Sequence, residues 1–146
     1  MKILVDADAC PVKTIIVREA RKRGIPVTMV IDTSHELNDG YSRVVIVDRG
    51  ADSADIKLIN LTEPGDLVVT QDFGVAAMAL GKGALALNQN GMQYTEQNMD
   101  QLLFERHVGK EVRRRGQHTK GASKRTDAEN RAFEAKFITL LEREIP

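Results

Sequence analysis

The chain has 146 residues, with 21 Lys and Arg balanced by 21 Asp and Glu and a single cysteine, Cys10. That length closes one hydrophobic core without staples, and no run approaches the roughly 20 consecutive apolar residues of a membrane helix. One cysteine excludes an intrachain disulfide, and the apolar start Ile3-Leu4-Val5 is too short for a signal peptide; a soluble cytoplasmic protein in a reducing compartment is expected.

The first apolar run, Lys2 to Val5, predicts a buried strand ending in Asp6. Pro11 opens a helix that runs to Arg23 and stops at Gly24, with Arg21, Lys22 and Arg23 at its negative end. Pro26 to Ile31 is a β-branched strand, and residues 32–40 form a polar loop. A third strand follows from Arg43 to Val47. It is apolar throughout, as expected of a strand covered on both faces. A helix from Ser53 to Leu61 is broken by Pro64-Gly65, and a fourth strand runs from Leu67 to Thr70. A small-residue helix from Phe73 to Leu80 and a fifth strand from Ala84 to Leu87 complete a sheet core over residues 1–95. Alternation at these spacings predicts a three-layer α/β/α domain with a mostly parallel sheet.

Residues 96–146 differ. Thr95 caps a helix from Glu96 to Arg115, and Thr126-Asp127-Ala128-Glu129 has the form of a capping box for a last helix. There Phe133, Phe137, Leu140 and Leu141 share one face, which is expected to pack on the sheet. The balanced net charge hides an asymmetry. Residues 1–105 carry ten Lys and Arg against fifteen acids, whereas residues 106–125 carry eight against Glu111 alone. Lys110, Arg113, Arg114, Arg115, Lys120, Lys124 and Arg125 in that block form a candidate track for RNA or another polyanionic phosphate. The plainer alternative is a solvated helix face followed by a loop. With no Trp and four Phe, base stacking is expected to be weak.

The acids also cluster. Asp6 ends the first strand and Asp8 follows two residues later; Asp72 lies just past the fourth strand; Asp52 and Asp55 flank the start of a helix. In an open parallel sheet these positions share the carboxyl edge, where ligands bind. Like charges at such range need a cation, and hard oxygen donors select Mg²⁺ or Mn²⁺. Asp6, Asp8, Asp52, Asp55 and Asp72 are therefore candidate metal ligands, and Asp6, Asp8, Asp55 and Asp72 candidate catalytic residues for phosphodiester hydrolysis. Each has a purely structural alternative, above all Asp52 as a helix cap and Asp55 as a partner of the helix dipole. Asp48 and Asp66 read as turn acids beside strands.

The segments Ala51-Asp52-Ser53-Ala54-Asp55 and Gly65-Asp66-Leu67-Val68-Val69-Thr70-Gln71-Asp72 resemble the second half of a PIN-type nuclease domain. Asp6-Ala7-Asp8-Ala9-Cys10-Pro11, Arg49-Gly50-Ala51-Asp52 and Arg114-Arg115-Gly116 further resemble the bacterial YaiI/YqxD family, over nearly the whole chain. The first resemblance implies a PIN-like fold and metal-dependent cleavage of RNA. In it Asp6 stands for the first acid, Asp55 or Asp52 for the second and Asp72 for the third. The two candidates for the second acid and the basic C-terminal extension depart from the usual pattern. Two alternatives remain: a non-catalytic nucleic-acid or nucleotide-binding module, and a haloacid dehalogenase-type phosphatase. Asp6-Ala7-Asp8 resembles the start of the latter, but the chain continues Ala9-Cys10-Pro11 where that family has Gly-Thr or a similar pair, and Lys82 and Asp100 do not complete its set.

Overall fold

In the computed structural model, residues 1–32, 37–48, 53–114, 116 and 124–144 are described, Ser53 and Arg113 by their backbone alone. The elements run β1 (Ile3–Asp6), α1 (Lys13–Arg23), β2 (Val27–Asp32), β3 (Arg43–Val47), α2 (Ser53–Leu61), β4 (Leu67–Val69), α3 (Phe73–Gly81), β5 (Leu85–Leu87), β6 (Gln93–Tyr94), α4 (Glu96–Arg114) and α5 (Asp127–Glu144). The six strands form one sheet in the order β3-β2-β1-β4-β5-β6. All neighbours pair in parallel except β5 and β6. The chain thus builds outward from β1 through β2 to β3, returns, and builds outward on β1's other side. The order reverses between β1 and β4, the switch point at which such sheets open a crevice.

Alternation along the strands makes two cores. Ile3, Val5, Met29, Ile31 and Val69 face one way and pack against Ile16 and Ala20 of α1 and Phe133, Phe137, Leu140 and Leu141 of α5. Leu4, Val30, Val68 and Ala86 face the other way, against Leu58 of α2 and Val75, Ala76 and Ala79 of α3. The layers are therefore helices, sheet, helices, as the alternation of elements predicts. α5 is the larger contributor to its layer. Its four apolar residues are fully buried, and the Phe133 and Phe137 rings stack with centroids 5.2 Å apart.

Helix ends follow the capping rules in the main. Gly24 closes α1 in the left-handed region at φ 65°. The capping box opens α5: Thr126 N–H donates to Glu129 Oε2 at 2.7 Å, and the Thr126 hydroxyl donates to the same oxygen. α1 starts two residues later than Pro11 suggests, with Val12 at its N-cap and no side-chain cap.

One sequence expectation changes, one strand is new, and the two C-terminal helices differ in how they pack. The apolar strand β3 is not covered on both faces: it is the sheet edge, and Ile46 is 60% exposed. The two-residue strand β6 is too short to show a period, and among the described residues it is the strand that runs antiparallel. α5 packs on the body along its length, whereas α4 joins the core through Met99 and Leu102 near its start.

Candidate functional site

Strand-end acids reach the carboxyl edge by one local rule. β1 ends at Asp6, β2 ends at Asp32, and Asp48 directly follows β3. These three neighbouring strands are parallel, so an acid that ends each apolar run falls on the same side of the molecule. Asp8 arrives by a tight turn. Ala7 N–H donates to Val30 O at 3.0 Å, Cys10 N–H to Ala7 O at 3.2 Å, and Ala9 sits at φ 59°, a region that L residues seldom occupy. The turn lets Asp8 Oδ2 accept the Asp32 N–H at 3.2 Å. Asp55, in the first turn of α2, approaches from the helix side. Asp6, Asp8, Asp32, Asp48 and Asp55, with Val47 and Ala54, line a cavity of about 200 Å³.

Asp6 is the most perturbed of these groups. Burial pushes its carboxyl up to about 6, and the charges of Asp55, Asp72 and Asp8 push the same way. The Thr70 hydroxyl works against both, donating to Asp6 Oδ2 at 3.0 Å. That hydroxyl in turn accepts the Asp72 N–H at 3.0 Å, and the Thr70 carbonyl accepts the Tyr94 hydroxyl at 3.3 Å. Thr70 thus ties β1 to the start of α3 across the switch point. Burial, with the charge of Asp72, raises the Tyr94 phenol above its usual range.

Asp72 itself is exposed and serves as the N-cap of α3, where its Oδ1 accepts Val75 N–H at 3.0 Å. Asp6 feels its charge, but Asp72 does not line the cavity. Of the five acids expected from the sequence, Asp6, Asp8 and Asp55 come together, Asp72 stands beside them as a cap, and Asp52 lies outside the described residues. Asp32 and Asp48 join the cavity although the sequence marks them only as loop and turn acids. The signal was present: each follows an apolar strand as Asp6 does. Cys10 is buried in the α1-side core, and burial pushes its thiol up, as befits a packing residue.

Lys13 Nζ donates to Ala7 O at 3.3 Å beside the Asp8 turn. Arg125 is half-buried and committed: its guanidinium donates to Gln89 O, Asn90 Oδ1 and Asn130 Oδ1 at 2.6–2.8 Å. It pins the turn before β6 against α5. Gly91 in that turn lies so close to α5 that a Cβ there would stand 2.6 Å from Ala132 O. Of the remaining basic block, Lys110, Arg114 and Lys124 are exposed. Arg114 donates to both oxygens of Glu111 at 2.6 Å. The Arg113 side chain, Arg115 and Lys120 lie outside the described residues.

A larger cavity, about 540 Å³, lies along the outer face of α1. Its cations are already engaged. Arg18 and Lys22 bind Glu19, and Arg21 donates to Asp39 O and lies over the Tyr41 ring.

The donors that the described residues bring to the acidic cavity, carboxylate oxygens, fit a hard divalent cation. The positions are more open than the chemistry. Among the described residues no group of three or more His, Cys, Asp or Glu side chains is arranged to hold a metal ion. No helix among them is long and apolar enough to cross a membrane.

Residues 4–143 match the family model described as "Uncharacterized BCR, YaiI/YqxD family". A UPF0178 protein of Ruminiclostridium cellulolyticum is 60% identical over 99% of this chain and 94% of its own length. Those of Clostridium acetobutylicum and Alkaliphilus oremlandii are 53% and 52% identical, over 98% and 99% of this chain and 98% and 94% of their own. No solved structure matches. A match over nearly the full length by model and relatives alike leaves one assignment: the chain belongs to the YaiI/YqxD family.

Proposed function

We propose that the chain is a Mg²⁺- or Mn²⁺-dependent phosphodiesterase of PIN-like type that acts on RNA in the cytoplasm. The observation that carries this reading is the cavity at the carboxyl ends of β1, β2 and β3, lined by five carboxylates, one of which burial and neighbouring charge already hold near 6. A bound cation relieves that repulsion, and Asp6, Asp8 and Asp55 are the ligands expected from the sequence, with Asp32 and Asp48 in reach of the same space. Side-chain rotation must draw the carboxylates together, as the open arrangement requires. When bound, the metal supplies a nucleophilic hydroxide near neutral pH and stabilises charge on phosphoryl oxygens. Lys110, Arg114 and Lys124 offer the phosphate track, while Arg125 is committed to the turn before β6.

Calorimetric titration with Mn²⁺ tests the reading together with cleavage of single-stranded RNA with and without chelator. Wild type should bind Mn²⁺ and cleave only with metal. Asp6→Asn and Asp55→Asn should lose both, and Asp52→Ser should keep most binding. Lys110→Ala with Arg114→Ala should flatten the slope of log RNA affinity against log salt by roughly 0.7 for each phosphate that is no longer neutralised.

One observation favours a second reading, a nucleic-acid-binding module without turnover: the described carboxylates do not form a ready metal site. Salt-dependent RNA affinity with neither Mn²⁺ heat nor cleavage would establish it.

A further inference from the structure

We propose that α4 pairs antiparallel with α4 of a second copy of this chain, forming a weak symmetric dimer. The helix has 19 residues, about 28 Å at 1.5 Å per residue. It meets the body through Met99 and Leu102, which are packed into the α3-side core. Phe104 and Val108 lie about 140° and 180° around the helix from Met99, at 100° per residue, and so face away from the body. Phe104 is 67% exposed and Val108 42%, whereas Leu103, 51% exposed, lies about 40° from Met99, on the body side and off the stripe. Large apolar side chains on a projecting helix mark a contact surface more than a solvated one.

The charge pattern names the occupant. The first ten residues of α4 carry Glu96, Asp100 and Glu105 and no Lys or Arg; the last nine carry Arg106, Lys110, Arg113 and Arg114 against Glu111. In antiparallel register the acidic first half of each helix runs beside the basic second half of the other; Arg106, Lys110 and Arg113 lie within about 40° of Met99, away from the seam, and Arg114 is the cation placed to reach across. This is the self-complementarity an isologous two-fold interface needs. The register is specific. A two-fold axis at position 106 packs Phe104 of one copy on Val108 of the other, and the reverse. The same axis places Arg114 opposite position 98, between Glu96 and Asp100 of the other copy. Those three residues share one flank of the seam, at about 60° to 100° from Met99, and in an antiparallel pair like flanks meet. Arg114 can keep Glu111 and still donate across, because a guanidinium has five N–H donors. An RNA strand would match the basic half but not the acidic half or the apolar centre. Two helices of this length cover less than the roughly 800 Å² per partner of a standard interface, so the dimer is weak and dissociates in the micromolar range.

Sedimentation velocity of the full chain, freed of nucleic acid, from low to high micromolar tests this. Wild type should shift from monomer to dimer, and added salt should weaken the shift. Phe104→Asp should weaken association about tenfold or more, with an unchanged melting temperature because the side chain is exposed. Glu96→Lys with Asp100→Lys, and separately Arg114→Glu, should each weaken self-association. Mixing these two variants should restore a mixed dimer, an outcome that a local folding defect cannot produce. A wild type that stays monomeric throughout would overturn the proposal. So would a mixture of the two charge variants that forms no mixed dimer, or a Phe104→Asp that loses RNA affinity while the oligomeric state is unaltered.

Discussion

Two carboxylates on opposite sides of the sheet, Asp6 at its carboxyl edge and Glu19 in the seam between α1 and α5, lose most of their water and respond in opposite directions. Glu19 is only 3% exposed, yet hydrogen bonding from Arg18 holds it down to about 2 against the effect of burial, with Lys22 and Arg23 adding to the pull. Arg18 and Arg23 continue to Glu134 and Glu142 of α5 at 2.6 and 3.1 Å, so the cluster also bolts the last helix to the first. Asp6 has a neutral hydroxyl for its donor and three carboxylates for neighbours, and it is held up near 6. Burial is common to both; company decides the sign. A buried acid given cations stabilises the fold, and a buried acid given more acids stores repulsion that a ligand can release.

The largest expected effect comes from removing the charge on the stabilised side. Glu19→Gln should cost about 2–3 kcal/mol at neutral pH by denaturant unfolding, since it leaves three cations facing a neutral amide. The contrast breaks if Glu19→Gln is neutral.

Asp6→Asn should do the reverse and stabilise the metal-free protein by about 1–2 kcal/mol at pH 7. The pH windows separate the two groups. Asp6 releases its proton near 3.8 when unfolded and near 6 when folded, so the folded state holds more protons between those values. Stability therefore falls as pH rises from about 4 to 6, and the advantage of Asp6→Asn should grow over that range and level off above it. Glu19 releases its proton near 4.5 when unfolded and near 2 when folded. Its contribution is present above 4.5 and is lost as pH falls toward 2, so the deficit of Glu19→Gln should vanish at acid pH. Melting curves of the three proteins across both windows check this; parallel shifts at every pH would end the comparison.

The smallest expected effect sharpens the Asp6 side. Thr70→Val removes the donor that restrains Asp6, so the Asp6 carboxyl should titrate above 6 by NMR, at a stability cost of about 1 kcal/mol. An unchanged midpoint would mean that burial and neighbouring acids set it alone.

Helix and strand identities were legible because periodicity and caps are local: Ser53–Leu61, Gly24 and the Thr126–Glu129 box stand where the sequence puts them. Sheet order was not, since whether an apolar run such as Val44 to Val47 lies at the centre or the edge depends on partners far along the chain. The candidate site divides the same way. Asp6 and Asp8 were visible as acids ending a buried strand. Asp32 and Asp48 obey that rule too, but they pass for ordinary loop acids until β2 and β3 are known to lie beside β1 in parallel. Asp72 shows the converse: a strand-end acid can turn to cap the next helix instead of entering the cavity.

The burial of Phe133, Phe137, Leu140 and Leu141 beneath α1 and β1 bears on how the molecule is made. The N-terminal strands are synthesised first, yet the part of their sheet that α1 leaves uncovered stays open until the residues of α5 arrive, more than a hundred positions later. A nascent chain ending before residue 126 must carry that apolar groove uncovered, a state prone to aggregation and to chaperone capture. Closure is a long-range event, so it is expected to fall late in folding.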